Sequence, residues 1–172
     1  GRLENRGRLT ASAGVRADTN GGIANGGTLY SQGNTQLTSR GDIDNTGTIA
    51  SGGNLQIAAT GAAGTVNSRA GSLMGAGVQS DGTLGGNASL QVGASGRLAA
   101  QGQNVASGDA SLDGAELSVS GSQTSAGNIA LAARSGNIDA SGASVFARQN
   151  LAASAAGTLR TDGAVASAQQ QQ

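Results

Sequence analysis

The 172-residue sequence contains no cysteine, histidine, lysine, proline or tryptophan, and it has only one tyrosine and one phenylalanine. The absence of cysteine excludes a disulfide scaffold and thiol chemistry. The absence of histidine removes the commonest general base and metal ligand. Ten arginines balance ten acidic residues, so the net charge is zero and no basic patch favours nucleic acid as a partner. No apolar run is long enough to span a bilayer.

Large aliphatic side chains are also scarce, since Leu, Ile, Val and Phe together make up 29 of the 172 residues. That fraction is typical of disordered chains, but disorder normally also needs a high net charge. Glycine is abundant, at 31 residues, yet it lacks the three-residue period of collagen. The chain begins at Gly1 with neither an initiator methionine nor a signal peptide, so we expect an internal piece of a longer protein.

Residues 1–60 repeat themselves at a shift of 20 positions. Four classes of position coincide: Leu3, Ile23 and Ile43; Asn5, Asn25 and Asn45; Gly7, Gly27 and Gly47; Leu9, Leu29 and Ile49. In each unit an opening aliphatic residue is followed fourteen positions later by a closing apolar residue. The later pairs are Leu98 to Leu112, Leu117 to Leu131 and, one residue longer, Ile138 to Ala153. The sequence therefore contains seven units and part of an eighth.

The pattern inside a unit alternates with period 2, as in Thr48-Ile49-Ala50-Ser51, and glycine or asparagine bounds each alternating run. Three short strands per unit indicate an all-β fold, a right-handed parallel β-helix of about 7–8 coils of ~20 residues. Glycine and asparagine are expected to supply positive φ at the corners. One interior stack is predicted to contain Leu9, Leu29 and Ile49, and another to contain Leu37, Ile57, Leu90, Leu112 and Leu131. The repeat domain is predicted to span residues 1–163, with a low-complexity, disordered tail over residues 164–172.

One unit is longer than the others. Val66 and Leu90 are 24 positions apart instead of fourteen, so about ten residues must leave the helix as a loop. Leu73 or Met74 is expected to fill the core position, which places the loop at about residues 75–85, "GAGVQSDGTLG". Loops inserted into repeat scaffolds often form the binding face. This loop is therefore either a flexible partner-binding element or an inert insertion.

The repeated stretches "IANGGTLYSQGNTQLTSRG" and "IDNTGTIASGGNLQIAATG" resemble the repeats of filamentous haemagglutinin, and residues 117–143 resemble a more degenerate haemagglutinin-type repeat. The resemblance covers nearly the whole chain except the insertion and the tail from about Ala164. Such repeats build the shafts of two-partner-secretion exoproteins, both adhesins and effectors of contact-dependent growth inhibition. The resemblance implies a right-handed β-helix that is secreted to the cell surface of a Gram-negative bacterium. The implied partners are other segments of the same exoprotein, an outer-membrane transporter during secretion, and a target-cell receptor or glycan.

Some side chains suggest more specific chemistry. An asparagine column (Asn5, Asn25, Asn45 and Asn67) could form either a ligand-binding ladder or a corner stack with left-handed backbones and amide-to-amide hydrogen bonds. Residues 42–47, "DIDNTG", half-match the start of a calcium-binding EF-hand loop, but threonine and glycine replace ligands at its fifth and twelfth positions.

Enzymatic β-helices need paired carboxylates, and here only Asp139 and Asp162 come near coil spacing. Tyr30 follows Leu29, which points inward, so its side chain is expected to lie outside as a single exposed ring. We therefore predict no catalytic residue, no cofactor and no metal ligand, and a structural and interaction role in a shaft. The alternatives are a carbohydrate-active β-helix enzyme and a segment that binds a glycan or receptor directly.

Overall fold

The computed structural model describes residues 1–168 and, for the backbone alone, residues 170–171. Within these residues 24 strands and no helix are found, so the described chain has no helix able to cross a membrane. The first twelve strands are β1 (Leu3–Asn5), β2 (Arg8–Ala11), β3 (Val15–Thr19), β4 (Ile23–Asn25), β5 (Thr28–Ser31), β6 (Thr35–Ser39), β7 (Ile43–Asn45), β8 (Thr48–Ser51), β9 (Leu55–Ala59), β10 (Val66–Ser68), β11 (Leu73–Ala76) and β12 (Leu90–Ala94). The remaining strands are β13 (Arg97–Ala100), β14 (Gln103–Ala106), β15 (Ala110–Gly114), β16 (Glu116–Ser118), β17 (Gln123–Ala126), β18 (Ile129–Ala133), β19 (Ile138–Asp139), β20 (Ser144–Ala147), β21 (Asn150–Ala155), β22 (Leu159–Arg160), β23 (Val165–Ser167) and β24 (Gln170–Gln171).

Every third strand joins the same sheet, so the chain winds through three parallel eight-stranded sheets. Sheet 1 contains β1, β4, β7, β10, β13, β16, β19 and β22; sheet 2 contains the strand that follows each of these; sheet 3 contains the third strand of each coil. Coil 1 is therefore β1–β3, and coil 8 is β22–β24. This arrangement confirms the predicted all-β, parallel β-helix of about 7–8 coils.

The core is a narrow column filled by one or two side chains from each strand. The predicted stack Leu9, Leu29 and Ile49 is confirmed, since these residues pair in register and Leu29 and Ile49 are buried. The backbone ladder between coils supplies most of the cohesion, which is why few bulky residues suffice. Proline would remove a ladder donor on strands that are paired on both sides, and its absence fits this architecture.

A second predicted stack is wrong at one position. Ile57 pairs with Val92, which in turn pairs with Leu112, whereas Leu90 pairs with Leu55 in the neighbouring column. Because side chains alternate with period 2, Leu90 and Val92 both point inward, and hydrophobicity alone does not distinguish them. Coil 4 is therefore two residues longer than predicted, since 26 positions separate Val66 from Val92. Both extra residues lie in the corner between β10 and β11, where four residues separate Ser68 from Leu73 but only two separate Asn45 from Thr48.

An asparagine ladder joins sheets 1 and 2 inside the first three coils. Asn5 Nδ2 donates to Asn25 Oδ1 at 2.8 Å, and Asn25 Nδ2 donates to Asn45 Oδ1 at 3.0 Å. Asn25 and Asn45 are buried, and Asn25 Nδ2 also donates to the carbonyl of Thr48 on the next coil at 2.9 Å. The predicted amide stack is thus confirmed.

Two details of the asparagine prediction are wrong. Ser68, not Asn67, pairs with Asn45, and Asn67 faces outward, where its Nδ2 donates to Asp44 Oδ1 at 3.2 Å. The left-handed backbones are also absent, because every positive φ in the described residues belongs to a glycine. The asparagines lie in extended strands and stabilise the column through their side chains.

The repeat continues beyond the predicted boundary at residue 163. β23 pairs with Ser144–Phe146 of coil 7, and β24 pairs with Asn150–Leu151. Backbone pairing does not require bulky side chains, so this low-complexity sequence can still add strands, although Val165–Ser167 is exposed. Gln169 and Gln172 of the predicted tail lie outside the described residues.

Candidate functional site

The inserted segment forms a β-hairpin on the outer face of sheet 2. It leaves the coil after Ala76 at Gly77, whose φ of 76° favours glycine and where an added Cβ would overlap the Ser107 side chain. The amide of Gln79 donates to the carbonyl of Thr83 at 2.8 Å, and the amide of Gly85 donates to the carbonyl of Gly77 at 2.9 Å. The insertion is therefore hydrogen-bonded to itself, in contrast to the flexible loop that its glycine content suggested.

The predicted loop, residues 75–85, begins two residues too early. Gly75 and Ala76 are buried members of β11, in register with Ala50 and Ser51 on one side and with β14 on the other. Met74 fills the core position, as one of the two predicted alternatives stated. Glycine was mistaken for a loop residue here, because its missing side chain instead makes room for Val78: a Cβ on Gly75 would lie 2.7 Å from Val78 Cγ2.

Tyr30 anchors the hairpin to coil 2. Its hydroxyl donates to the carbonyl of Val78 at 3.1 Å, and the amide of Val78 donates to the carbonyl of Ser51 at 2.9 Å. The hairpin covers the sheet so closely that the outward-facing Ala50 is only 2% exposed. The expectation that Tyr30 is a freely exposed ring is wrong, since the side chain is half-buried and has a specific partner.

The outer side of the hairpin presents an apolar residue and an acidic tip. Leu84, which bridges to Val78, is 45% exposed. Asp81 Oδ1 accepts hydrogen bonds from the Thr83 hydroxyl at 2.6 Å and from the Thr83 amide at 3.0 Å, and these bonds lower the pKa of Asp81. The tip is therefore an ordered, ionised turn beside an exposed leucine.

The two aspartates of the half-matched calcium motif, Asp42 and Asp44, accept hydrogen bonds from the next coil. Asp42 Oδ1 accepts the amide of Thr65 at 3.0 Å, and Asp44 Oδ1 accepts the side-chain amide of Asn67. Among the residues that the structure describes, no three Asp, Glu, His or Cys side chains are grouped as a metal site would require. Ile43, between the two aspartates, is buried in the core, and Ile43–Asn45 forms strand β7, whereas the ligands of an EF-hand lie in a loop.

Asp139 and Asp162 line one shallow depression of about 470 Å³, with Arg160 between them. Arg160 is in register with Asp139, and its Nε donates to Asp162 Oδ2 at 2.8 Å. Hydrogen bonds from the hydroxyl and amide of Ser141 lower the pKa of Asp139. A glycosidase needs one carboxyl group with a raised pKa to act as general acid, whereas the hydrogen bonds from Ser141 shift the pKa of Asp139 in the opposite direction.

A protein-family model described as "Haemagglutinin repeat" matches residues 3–78 and 124–171. The chain is 46% identical over 74 residues to "Toxin CdiA" of Yersinia pestis, a match that covers 43% of this chain and 2% of that protein. It is 39% identical over 100 residues to "tRNA nuclease CdiA-2" of Burkholderia pseudomallei strain 1026b, which covers 58% of this chain and 3% of that protein. No solved structure gives a significant match. Between its two matched ranges, the family model leaves residues 79–123 of this chain unmatched. This stretch includes most of the hairpin and all of coil 5.

Proposed function

Because the chain belongs to the haemagglutinin repeat family, we propose that it is a rigid shaft segment of a large secreted exoprotein. The observation that carries this proposal is the unbroken stack of eight coils, in which each strand of one coil pairs with the equivalent strand of the next. At a rise of ~4.8 Å per coil, the segment contributes about 38 Å of length. Its function is to set a distance between the parts of the protein that precede and follow it.

The parent protein is, in this proposal, an adhesin or an effector of contact-dependent growth inhibition. The names of the two relatives favour the second, since both are described as toxins or nucleases and the match lies in 2–3% of their length. Its partners would be neighbouring segments of the same exoprotein and an outer-membrane transporter. Coils that form one upon another suit export, because each new coil is stabilised by the coil already folded.

The shaft proposal is tested by lengthening the chain with its own repeat. Residues 23–42 form one complete coil whose ends are in register with the coils on both sides. We expect one, two or three extra copies of this coil, inserted after Asp42, to lengthen the particle in small-angle scattering by about 4.8 Å per copy. A scrambled 20-residue insert should add mass without adding length, and a repeat that behaved like the scrambled insert would contradict the proposal.

A second function, binding of a target-cell receptor or glycan, is favoured by one observation: the hairpin presents Leu84 outside the coil. The amide of Gly85 and the carbonyl of Gly77 are hydrogen-bonded, so a short Asn-Gly turn can replace Val78–Leu84 without stretching the coil. If the hairpin carries binding, this variant should fold and lose attachment to target cells. A folded variant with full attachment would contradict a binding role for the hairpin.

A further inference from the structure

At two corners of the solenoid, the chain lacks the first corner residue of the coil on which the corner stacks. Between sheets 2 and 3, three residues separate Ala106 from Ala110 in coil 5, but only two separate Ala126 from Ile129 in coil 6. The register pairs Ala110 with Ile129, so the difference lies in the corner itself.

The same change occurs between sheets 3 and 1. Three residues separate Ala94 from Leu98 after coil 4, but only two separate Gly114 from Leu117 after coil 5. Each of these two corners skips one position of the preceding corner. The corner between Ala155 and Leu159 is also one residue shorter than the corner before it, but the amide of Ala156 keeps its ladder bond to the carbonyl of Ala133 at 3.1 Å.

The skipped position removes a backbone hydrogen bond. In coil 3, for example, the amide of Gly52, just after the strand, donates to the carbonyl of Ser31 in the preceding coil at 2.8 Å. In coil 6 the equivalent amide, Gly127, donates to the carbonyl of Gly108 at 2.6 Å, so the carbonyl of Ala106 loses its ladder donor.

The other short corner repeats this exchange. The amide of Ala115 donates to the carbonyl of Gly96 at 2.8 Å and leaves the carbonyl of Ala94 without its ladder donor. The strand register agrees with the loss of both ladder bonds. The pairing of β12 with β15 ends at Gly93, one residue before Ala94, and the pairing of β14 with β17 ends at Val105, one residue before Ala106.

At each of these two corners, an arginine from the following coil donates to the carbonyls that lack a ladder donor. Arg148 Nη2 donates to the carbonyl of Ser107 at 2.6 Å and lies 3.5 Å from that of Ala106. Arg134 Nη2 donates to the carbonyls of Ala94 at 2.6 Å and Ser95 at 3.3 Å. Each side chain reaches past the short coil to the coil before it. In the part of the chain that the structure describes, no other guanidinium group donates to a backbone carbonyl.

Arginine suits this role because its planar guanidinium has five donors that can address two adjacent carbonyls at once. Arg134 shows the use of the remaining donors, since its Nη1 also donates to Asp113 Oδ1 at 2.5 Å. This bond fixes the guanidinium in the middle coil while Nη2 reaches the first.

We propose that Arg134 and Arg148 are corner braces, which allow the solenoid to drop one residue from a coil without leaving carbonyls unpaired. Each brace also links three successive coils, whereas the backbone ladder links only adjacent ones. Coils 4–7 are thereby held in one fixed axial register, in the region where the coil lengths vary.

The test compares Arg148→Gln with Arg40→Gln in the full 172-residue chain by hydrogen exchange and thermal unfolding. Arg40 is also a corner arginine, but its guanidinium has no carbonyl partner in the described structure. Arg148→Gln should speed amide exchange at Gly108 and Gly127 by about tenfold and lower the Tm by several degrees, with Arg40→Gln close to the parent chain. Arg148→Lys should recover only part of the loss. Equal behaviour of the two glutamine variants would overturn the proposal.

A compensating insertion distinguishes a bracing role of Arg148 from that of an ordinary surface contact. One glycine inserted between Ala126 and Gly127 restores a three-residue corner and a backbone donor for the carbonyl of Ala106. In the protein that carries this insertion, Arg148→Gln should no longer change amide exchange or the Tm. A fall in Tm as large as in the protein without the insertion would refute the bracing role. If the insertion prevents folding, the same experiment at the other corner, with glycine inserted after Gly114 and Arg134→Gln, decides the question. There Asp113→Asn is the control for the ion pair alone.

Discussion

Replacement of Asn25 by alanine tests the interior ladder directly. Asn25 accepts one hydrogen bond from Asn5 and donates to Asn45 Oδ1 and to the carbonyls of Thr48 and Gly27. The substitution removes these bonds, leaves the buried Asn45 Oδ1 without a donor and opens a small cavity. An unsatisfied buried polar group costs about 1–3 kcal/mol, so we expect a total loss near 3 kcal/mol. For a chain of this size that corresponds to a fall in Tm of about 6–12 °C.

The matched control is Asn67→Ala, two coils further along. Asn67 is the residue that the repeat pattern assigns to the asparagine column, whereas the structure places it on the outer surface with one hydrogen bond to Asp44. Its loss should cost under about 1 kcal/mol. Thermal unfolding followed by circular dichroism measures both variants. Equal destabilisation would refute the assigned register, and a larger effect at Asn67 would favour the pattern over the structure.

Four further outcomes follow from the same geometry. Ile49→Asp should cost several kcal/mol by burying an unpaired charge, whereas Gln56→Asp on the exposed side of β9 should cost under about 1 kcal/mol, as denaturant unfolding would show. Tyr30→Phe should speed proteolysis within the hairpin while the coils stay intact; unchanged cleavage would contradict the anchoring role. Because the folded-state pKa of Asp139 is lowered, its contribution is present at neutral pH and lost as pH falls below about 4; Ser141→Ala should weaken this acid dependence by less than about 1 kcal/mol. Titration with calcium or zinc below millimolar concentration should leave the Tm unchanged, and a rise of several degrees would restore the Asp42 and Asp44 hypothesis.

The fold is readable from the sequence because in a solenoid one period determines both the local strands and their partners. Equivalent positions 20 residues apart, such as Leu9 and Leu29, are necessarily neighbours in the ladder. The repeat thus supplies long-range contacts that an ordinary globular sequence conceals. This information fails where the period changes, and each error in the predicted register lies in coil 4 or at its borders.

The errors differ in kind. The Asn67 error could have been avoided, because Val66 points inward and alternation then sends Asn67 outward and Ser68 inward. The assignment of Leu90, instead of Val92, to the stack with Ile57 could not have been avoided, because a shift of two residues preserves the alternation. Likewise, nothing local in "GAGVQSDGTLG" identifies Gly75 as a strand residue, since its role depends on Val78 folding back over it.

Side chains that join distant coils have no local signature for the same reason. Tyr30 and Val78 are 48 positions apart, and Arg148 and Ser107 are 41 apart, so neither spacing is a multiple of the 20-residue repeat. Their partners exist only because coil 4 gained a hairpin and coil 6 lost a corner residue. A backbone ladder tolerates such changes of length where a side chain or water satisfies the groups that it leaves unpaired. In this chain the irregular coils are therefore where individual side chains, and not the repeat, decide the structure, and where substitutions should have their most specific effects.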